Sequence, residues 1–208
     1  MLEQLLARDE GKTLEFKENA NPIQGIVHTA IAFANTAGGI ILLGIKNMTK
    51  EVVGLENILQ DELRVANAIA ASVTPLLVPN LQFCSWRHRE ILIITIPYSL
   101  GPYYLTSKGE GEGTYIRLGS TNRPADAQTI AEIRRLKEHI AFDQLPDTKF
   151  RPEDLDLDLA SHLFDQAGKP FTKGTAKSLA LLVDHQSHQY PSKGGLLLFG
   201  KNRETLFP

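Results

Sequence analysis

The chain has 208 residues, a formal net charge of −2 and 22% charged residues, which is the composition of an ordinary globular protein. Because the charge balance is slightly acidic, nucleic-acid binding would have to come from a local basic patch. The single cysteine, Cys84, excludes a disulfide framework and a cysteine-rich metal site. No apolar stretch is long enough for a membrane span and the N-terminus is not a typical export signal, so we expect a soluble, cytoplasmic protein without a membrane partner.

The N-terminal region begins with helix and strand patterns in alternation. Residues 3–8 predict a short helix, and in "TLEFK" the apolar Leu14 and Phe16 alternate with polar neighbours as in a strand. Asn21 followed by Pro22 predicts the start of a longer helix, with the asparagine as its cap.

A polar turn with two glycines ends that helix. Its residues are Asn35, Thr36, Gly38 and Gly39. The glycines predict a C-terminal cap, and we expect the two polar side chains to hydrogen-bond the free carbonyls of the last helical turn. The apolar run 40–45 then predicts a central strand that is covered on both faces. The alternative to this structural role is that the bend lies beside a ligand, near Glu15 and Lys17.

The following region predicts a helix, a hairpin and a further helix. A helix is expected over residues 58–73, with an inward face formed by Leu59, Leu63, Ala66, Ile69, Ala70 and Val73. The runs "LQFCSW" and "EILIITI" flank a turn at 87–90 and predict a hairpin. The glycine-rich stretch "KGEGEGT" is interpreted as a flexible hairpin tip, "TYIRLGS" as a strand, and the next segment to about residue 142 as a helix.

A change of composition at "DQLPDTKFRPEDLDLD" marks a domain boundary. Residues 1–145 are predicted to form an α+β domain with a single mixed sheet and about three helices. Residues 146–208 are predicted to be mostly helical, with a terminal strand over 196–199, and we expect them to be cut short from a longer chain.

Two acidic residues form a candidate metal site. Glu10 and Glu15 are five residues apart, so a regular helix or strand would direct them apart, and only a turn at Gly11 could bring both to one cation. The spacing leaves two alternatives, a solvated pair or a site for magnesium or manganese.

The basic candidates are Arg87, His88 and Arg89 on a turn, Arg117 and Arg123 around a polar turn, and Arg134, Arg135 and Lys137 on a helix. Arg117 and Arg123 bracket "LGSTN", whose polar groups could also hold a phosphate, beside Tyr115, which could stack on a base. The alternative is that these charges only keep the protein soluble.

Five motifs occur together in an order that resembles one family. They are "EGKTLEFK", "AFANTAGGIILLGI", "VVGLEN", "ILIITIP" and "TYIRLGSTNRPAD", and over about residues 8–140 they resemble the Schlafen AlbA-type domain, once described as a divergent AAA-type ATPase domain. Residues 150–208 resemble the segment that follows this domain in longer bacterial transcriptional regulators.

The resemblance implies an α+β domain that binds DNA or RNA, and in animal Schlafen proteins a metal-dependent ribonuclease. Glu10 and Glu15 match the first two acidic positions of that ribonuclease, whereas Asn47 stands where the family has an aspartate, directly after Lys46. A neutral amide is a poorer magnesium ligand than a carboxylate, and the adjacent ammonium opposes a divalent cation.

The first hypothesis is therefore a non-catalytic nucleic-acid-binding module, with DNA as its ligand, from a transcriptional regulator. Its phosphate contacts would be Lys12, Lys17, Arg117 and Arg123. The second is a nuclease that uses magnesium or manganese at Glu10 and Glu15, with Asn47 as third partner. The third is ATP binding, as the older family label suggests, although no phosphate-binding loop is present. A homo-oligomer formed through strand edges or the loop at Tyr103 and Tyr104 is also open.

Overall fold

The computed structural model describes residues 2–185 and 188–201. The chain divides into two compact units, Met1–Lys137 and Glu138–Pro208, which we call the N-terminal and C-terminal units. The division falls a short distance before the boundary expected after residue 145.

The N-terminal unit combines helices with short strands. Its helices are α1 (Leu2–Leu6), α2 (Ile23–Thr36), α3 (Ile58–Ser72), α4 (Gly109–Gly113) and α5 (Ala127–Lys137). Its strands are β1 (Leu14–Lys17), β2 (Gly39–Leu43), β3 (Val73–Thr74), β4 (Asn80–Trp86), β5 (Arg89–Ile96), β6 (Tyr104–Leu105), β7 (Tyr115–Leu118) and β8 (Thr121–Pro124).

Four of these strands form one mixed sheet in the order β1-β2-β5-β4. Strands β1 and β2 are parallel, with Glu15 opposite Ile41, and the other neighbours are antiparallel. Strands β3 and β6 pair separately, as do β7 and β8. This mixed sheet with its helices confirms the predicted α+β class.

Strand β2 lies inside the sheet and is covered on both faces, as its apolar sequence predicts. Ile41 and Leu43 pack with α2 and α3 in one core, whereas Leu42 packs with Leu14 and Phe16 in a second core on the opposite face. All five side chains are at most 1% exposed. Since each such side chain contributes about 1.5–3 kcal/mol by burial, the two cores fix the register of β1 against β2.

Two helix predictions were wrong in detail. At the start of α2 the N-cap is Pro22, without a side-chain cap, and Asn21 instead accepts a hydrogen bond from Arg64. On helix α3 Ile69 is buried as predicted, but the other buried residue is Val65, which was not in the predicted inward face. Leu59 and Leu63, predicted to face inward, are 65% and 59% exposed.

The hairpin of β4 and β5 is confirmed, although its turn has two residues and not four. The glycine-rich stretch predicted as a flexible tip is helix α4, which ends at the buried Gly113. A Cβ at Gly113 would lie 2.7 Å from the carbonyl oxygen of Leu105, so the close approach of β6 requires glycine there.

The C-terminal unit has its own small core. Its α-helices and strands are α6 (Leu157–Gln166), α7 (Lys173–Ser178), β9 (Leu182–His185), β10 (His188–Pro191) and α8 (Lys193–Phe199), and two short 3₁₀ helices cover Phe142–Gln144 and Pro152–Asp154. The strand predicted over 196–199 is wrong, because this run belongs to α8, where Ser192 caps the helix by accepting a hydrogen bond from Gly195 N–H at 2.8 Å. None of the helices in the described ranges is long and apolar enough to cross a membrane.

Candidate functional site

Strand β1 turns a carboxylate towards the interior. Leu14 and Phe16 enter one core, so the alternation of the strand directs Glu15 to the other face, where it is only 5% exposed. Lys17 follows on the same face, and its Nζ lies 2.6 Å from Glu15 Oε1. A buried carboxylate requires such cationic partners, because desolvation of an unpaired charge is costly.

The second partner of Glu15 is Arg117 on β7, more than one hundred residues away in sequence. Its Nη2 lies 2.5 Å from Glu15 Oε2, and its side chain is 1% exposed. Its Nε donates to the carbonyl oxygen of Gly11 at 3.0 Å and its Nη1 to Asn122 Oδ1 at 2.8 Å. The guanidinium also lies 5.2 Å from the centre of the Phe33 ring, a cation–π contact. Arg117 therefore ties β1, the Gly11 turn and the hairpin of β7 and β8 together.

Helix α2 holds the same hairpin through hydroxyl groups. Thr29 Oγ1 accepts a hydrogen bond from Asn122 Nδ2 at 2.9 Å and donates to the carbonyl of Gly25. Thr36 Oγ1 accepts from the main-chain N–H of Arg117 at 2.9 Å. These contacts fix both strands of the hairpin against the helix.

Asn35 and Thr36 were expected to bond the carbonyls at the end of α2, and this expectation was wrong. Asn35 Oδ1 accepts from Tyr103 N–H at 2.8 Å, and its Nδ2 donates to the carbonyls of Tyr103 and Tyr115. The end of the helix is closed by the backbone instead, since the N–H groups of Ala37 and Gly38 both donate to Phe33 O. The two polar side chains thus hold distant strands in place.

Gly38 and Gly39 are each required at the turn for a different structural reason. Gly38 has a φ of +69°, and a Cβ there would lie 2.7 Å from the main-chain nitrogen of Tyr98. A Cβ on Gly39 would lie 2.6 Å from the ring of Phe33. The packing of the protein itself therefore requires glycine at both positions.

The Gly11 turn does return Glu10 to β1, where both acidic residues are engaged by other groups of the protein. Glu10 Oε1 accepts a hydrogen bond from Phe16 N–H at 2.7 Å, and both oxygens of Glu15 have cationic partners. Asn47 is exposed on the turn after β2, and no hydrogen bond of the described residues joins it to either carboxylate. Within residues 2–185 and 188–201, no three His, Cys, Asp or Glu side chains are placed to hold a metal. The arrangement does not fit magnesium or manganese, because two cations already neutralise the central carboxylate.

The four predicted phosphate-contact residues differ in accessibility. Lys12 and Arg123 are exposed and form no ion pair with a described residue, whereas Lys17 is 34% exposed and shares Glu15. Arg117 is buried. In the register of β7 and β8, Arg117 is opposite Asn122 and Ile116 is opposite Arg123, so the two arginines lie on opposite faces of the hairpin. The structure does not bring their guanidinium groups together.

A histidine on α2 contacts the same hairpin. His28 stacks on Tyr115, with ring centroids 4.6 Å apart and planes inclined by 17°. Burial lowers the pKa of His28, and the nearby Lys108 lowers it further. The sequence did not predict that His28, Thr29 and Asn122 belong to this region. Only the polar turn "LGSTN" pointed to it, and that turn was interpreted as a site for an external ligand, whereas its asparagine bonds other residues of the protein.

Comparison with known proteins identifies the domain to which these residues belong. A profile described as Schlafen, AlbA_2 matches residues 10–126, which include Glu15, the glycine turn and the hairpin of β7 and β8. The chain belongs to the Schlafen AlbA_2 family. No curated protein matches the chain.

Two solved structures are similar to this Schlafen AlbA_2 protein. The DIP2311 protein from Corynebacterium diphtheriae is 20% identical with a TM-score of 0.51, over 96% of this chain and 44% of its own. The present chain thus spans less than half of that protein. The N-terminal domain of an ATP-dependent DNA helicase RecG-related protein from Nitrosomonas europaea is 27% identical with a TM-score of 0.46, over 60% of this chain and 90% of its own.

Proposed function

We propose that the N-terminal unit is a non-catalytic nucleic-acid-binding module, with DNA as its ligand, and that it serves a transcriptional regulator. The observation that carries the proposal is the family match over residues 10–126, within which Lys12 and Arg123 are exposed cations without a carboxylate partner. Nucleic-acid binding is the activity that the resemblance to the Schlafen AlbA-type domain implies.

Lys12, Lys17 and Arg123 are the phosphate contacts in this proposal. A protein of net charge −2 gains no attraction to nucleic acid from its overall charge, so local cations must supply it. Each phosphate that a cation neutralises releases condensed counterions, and binding then weakens as salt is added. Lys17 contributes least, because it also neutralises Glu15 at 2.6 Å.

Arg117 acts as a positioning residue and does not contact the ligand. Its Nε holds the carbonyl of Gly11, the residue before Lys12, and its Nη1 holds Asn122, the residue before Arg123. One buried guanidinium thereby contacts the residue before each exposed cation, through the main chain at Gly11 and through the side chain at Asn122. This arrangement supports a role for the buried ion pair in presenting the binding surface.

The test is the salt dependence of DNA binding by the double variant Lys12→Gln/Arg123→Gln. For a duplex, the slope of log affinity against log salt should become shallower by about 0.9 for each lost phosphate contact, or about 1.8 for the double variant. Lys137→Gln, which removes an exposed cation at the end of α5, is the matched control and should leave the slope unchanged.

Two results would contradict the proposal. A double variant with the slope of the wild type would show that Lys12 and Arg123 do not contact phosphates. Cleavage of the DNA in the presence of manganese, lost on Glu10→Gln, would show that the module is a nuclease.

A further inference from the structure

The tip of the β4–β5 hairpin forms a second basic surface, separate from Lys12 and Arg123. An open pocket of about 390 Å³ lies beside the tip and is lined by Leu6, Lys50, Val52, Trp86, Arg87 and Arg89. Three of these six residues are cationic, one is aromatic and none is acidic. Such a lining favours an anion with a flat group attached.

The charges of the pocket are not neutralised evenly. Lys50 forms an ion pair with Asp9 at 2.7 Å, whereas Arg87 and Arg89 form no ion pair with any described residue. Both arginines are exposed. Arg89 interacts electrostatically with the Glu51 carboxylate at longer range. Because neither arginine is held in an ion pair, both guanidinium groups are available to an external anion.

The turn at the hairpin tip has a defined backbone conformation. Arg87 and His88 have φ values of +47° and +64°, the left-handed conformation that a two-residue hairpin turn requires and that asparagine and glycine usually supply. The guanidinium of Arg87 lies 5.4 Å from the centre of the Trp86 ring. The stem of Arg89 lies against Gly54, where a Cβ would be 3.0 Å from that of Arg89. Arg87 thus packs on the ring of Trp86, and Arg89 packs on Gly54.

We propose that the hairpin tip binds a backbone phosphate of single-stranded nucleic acid between Arg87 and Arg89, with the adjoining base stacked on the Arg87–Trp86 pair. The inference rests on the proposed function and adds a second contact surface to it. Guanidinium groups bind phosphate oxygens in a bidentate manner, and a base stacks on an aromatic ring or on a guanidinium plane whatever its sequence. Binding at this surface is therefore independent of sequence.

The experiment uses the tryptophan fluorescence of the whole chain, because Trp86 is its single tryptophan. An unlabelled single-stranded DNA of about 20 nucleotides should quench the emission at low salt. In Arg87→Gln/Arg89→Gln, anisotropy of labelled DNA should show a salt slope shallower by about 1.4, or about 0.7 for each lost contact. Circular dichroism confirms that the variant is folded, and Lys137→Gln serves again as the control.

The outcomes separate this inference from the proposed function. If DNA binds but the slope of Arg87→Gln/Arg89→Gln equals that of the wild type, the hairpin site is wrong and the proposed function stands. If DNA binds and the emission of Trp86 does not change, base stacking at the tip is wrong. If no DNA binds to the wild type, both fail.

Discussion

Arg117 is the residue on which the arrangement of the N-terminal unit depends. It is buried at 1% exposure, and three of its nitrogen atoms donate to Glu15, Gly11 and Asn122. A buried pair of this kind is not a large net source of stability, but removal of one partner leaves the other charge without compensation. The cost of breaking the pair therefore exceeds what the pair contributes.

Arg117→Met should lower the free energy of unfolding by about 3–5 kcal/mol, because it leaves the buried carboxylate of Glu15 with Lys17 alone. Adding Glu15→Leu should recover part of this loss. The measurement is urea unfolding followed by Trp86 fluorescence, which reports on the N-terminal unit because the tryptophan lies within it.

The control for Arg117→Met is Arg134→Met. Arg134 forms an ion pair with Glu110, but the two side chains are 55% and 30% exposed, so the loss should be at most about 1 kcal/mol. If Arg117→Met and Arg134→Met lowered the free energy of unfolding equally, the arrangement of the N-terminal unit would not depend on the buried ion pair of Arg117.

The lowered pKa of His28 predicts that the stability of the N-terminal unit depends on pH. Because its pKa is lowered in the folded state, mainly by burial, the unfolded chain binds more protons as the pH falls below the ordinary value of 6.5. The titration of His28 therefore leaves the free energy of unfolding unchanged well above that pH. It lowers this free energy progressively as the pH falls towards the pKa of His28 in the folded state.

His28→Phe keeps an aromatic ring against Tyr115 and removes the titration. Between about pH 7 and about pH 5, the free energy of unfolding should fall more in the wild type than in this variant. Urea unfolding at three pH values measures the difference. Parallel curves for the two proteins would show that His28 is not the group responsible.

At the scale of the elements, the bend between α2 and β2 joins the helix layer to the sheet. Gly38→Ala should destabilise the N-terminal unit by about 1–3 kcal/mol or more, because its Cβ would meet the backbone of Tyr98 and Ile96 at a φ of +69°. Gly111→Ala is the matched control, since a Cβ there meets nothing within 4 Å in helix α4. Alanine in a helix is favoured over glycine, so the control should be neutral or slightly stabilising. A stable Gly38→Ala would contradict the packing argument.

Local sequence patterns predicted an element correctly where the spacing of its apolar residues was compatible with only one type of secondary structure. The alternation of "TLEFK" and the apolar run into Ile45 predicted β1 and the buried β2, and Gly38 predicted the end of α2. The partners of Asn35 at Tyr103 and Tyr115 could not be predicted in this way, because nothing in a local pattern specifies contacts across 68 and 80 residues. The burial of Arg117 was missed for the same reason, since its partner Glu15 lies on β1.

Short apolar runs were the other source of error. "GLLLF" is compatible with a strand or a helix, and the residue that favours the helix, the capping Ser192, lies before the run. On α3 the apolar residues lie on more than one face, so the choice of Leu59 and Leu63 as the inward face was not determined by the pattern.

At the scale of the whole molecule, an acidic protein is proposed to bind a polyanion. This requires exposed cations that the protein's own carboxylates do not neutralise, and Lys12, Arg87 and Arg123 are exposed and form no ion pair with a described residue. Other cations are neutralised, as Lys46 is by Glu51 and Lys50 by Asp9. Binding that depends on such local surfaces should be strongly sensitive to salt.

The most direct test of the account is the affinity of the wild-type chain for labelled duplex DNA at about 50 mM and about 200 mM salt, measured by fluorescence anisotropy without metal. With three phosphate contacts, at Lys12, Lys17 and Arg123, affinity should fall about 40-fold between the two conditions while the DNA stays intact. Absence of binding at the lower salt concentration, or an affinity that does not change with salt, would contradict the proposal that this domain binds nucleic acid through its exposed cations.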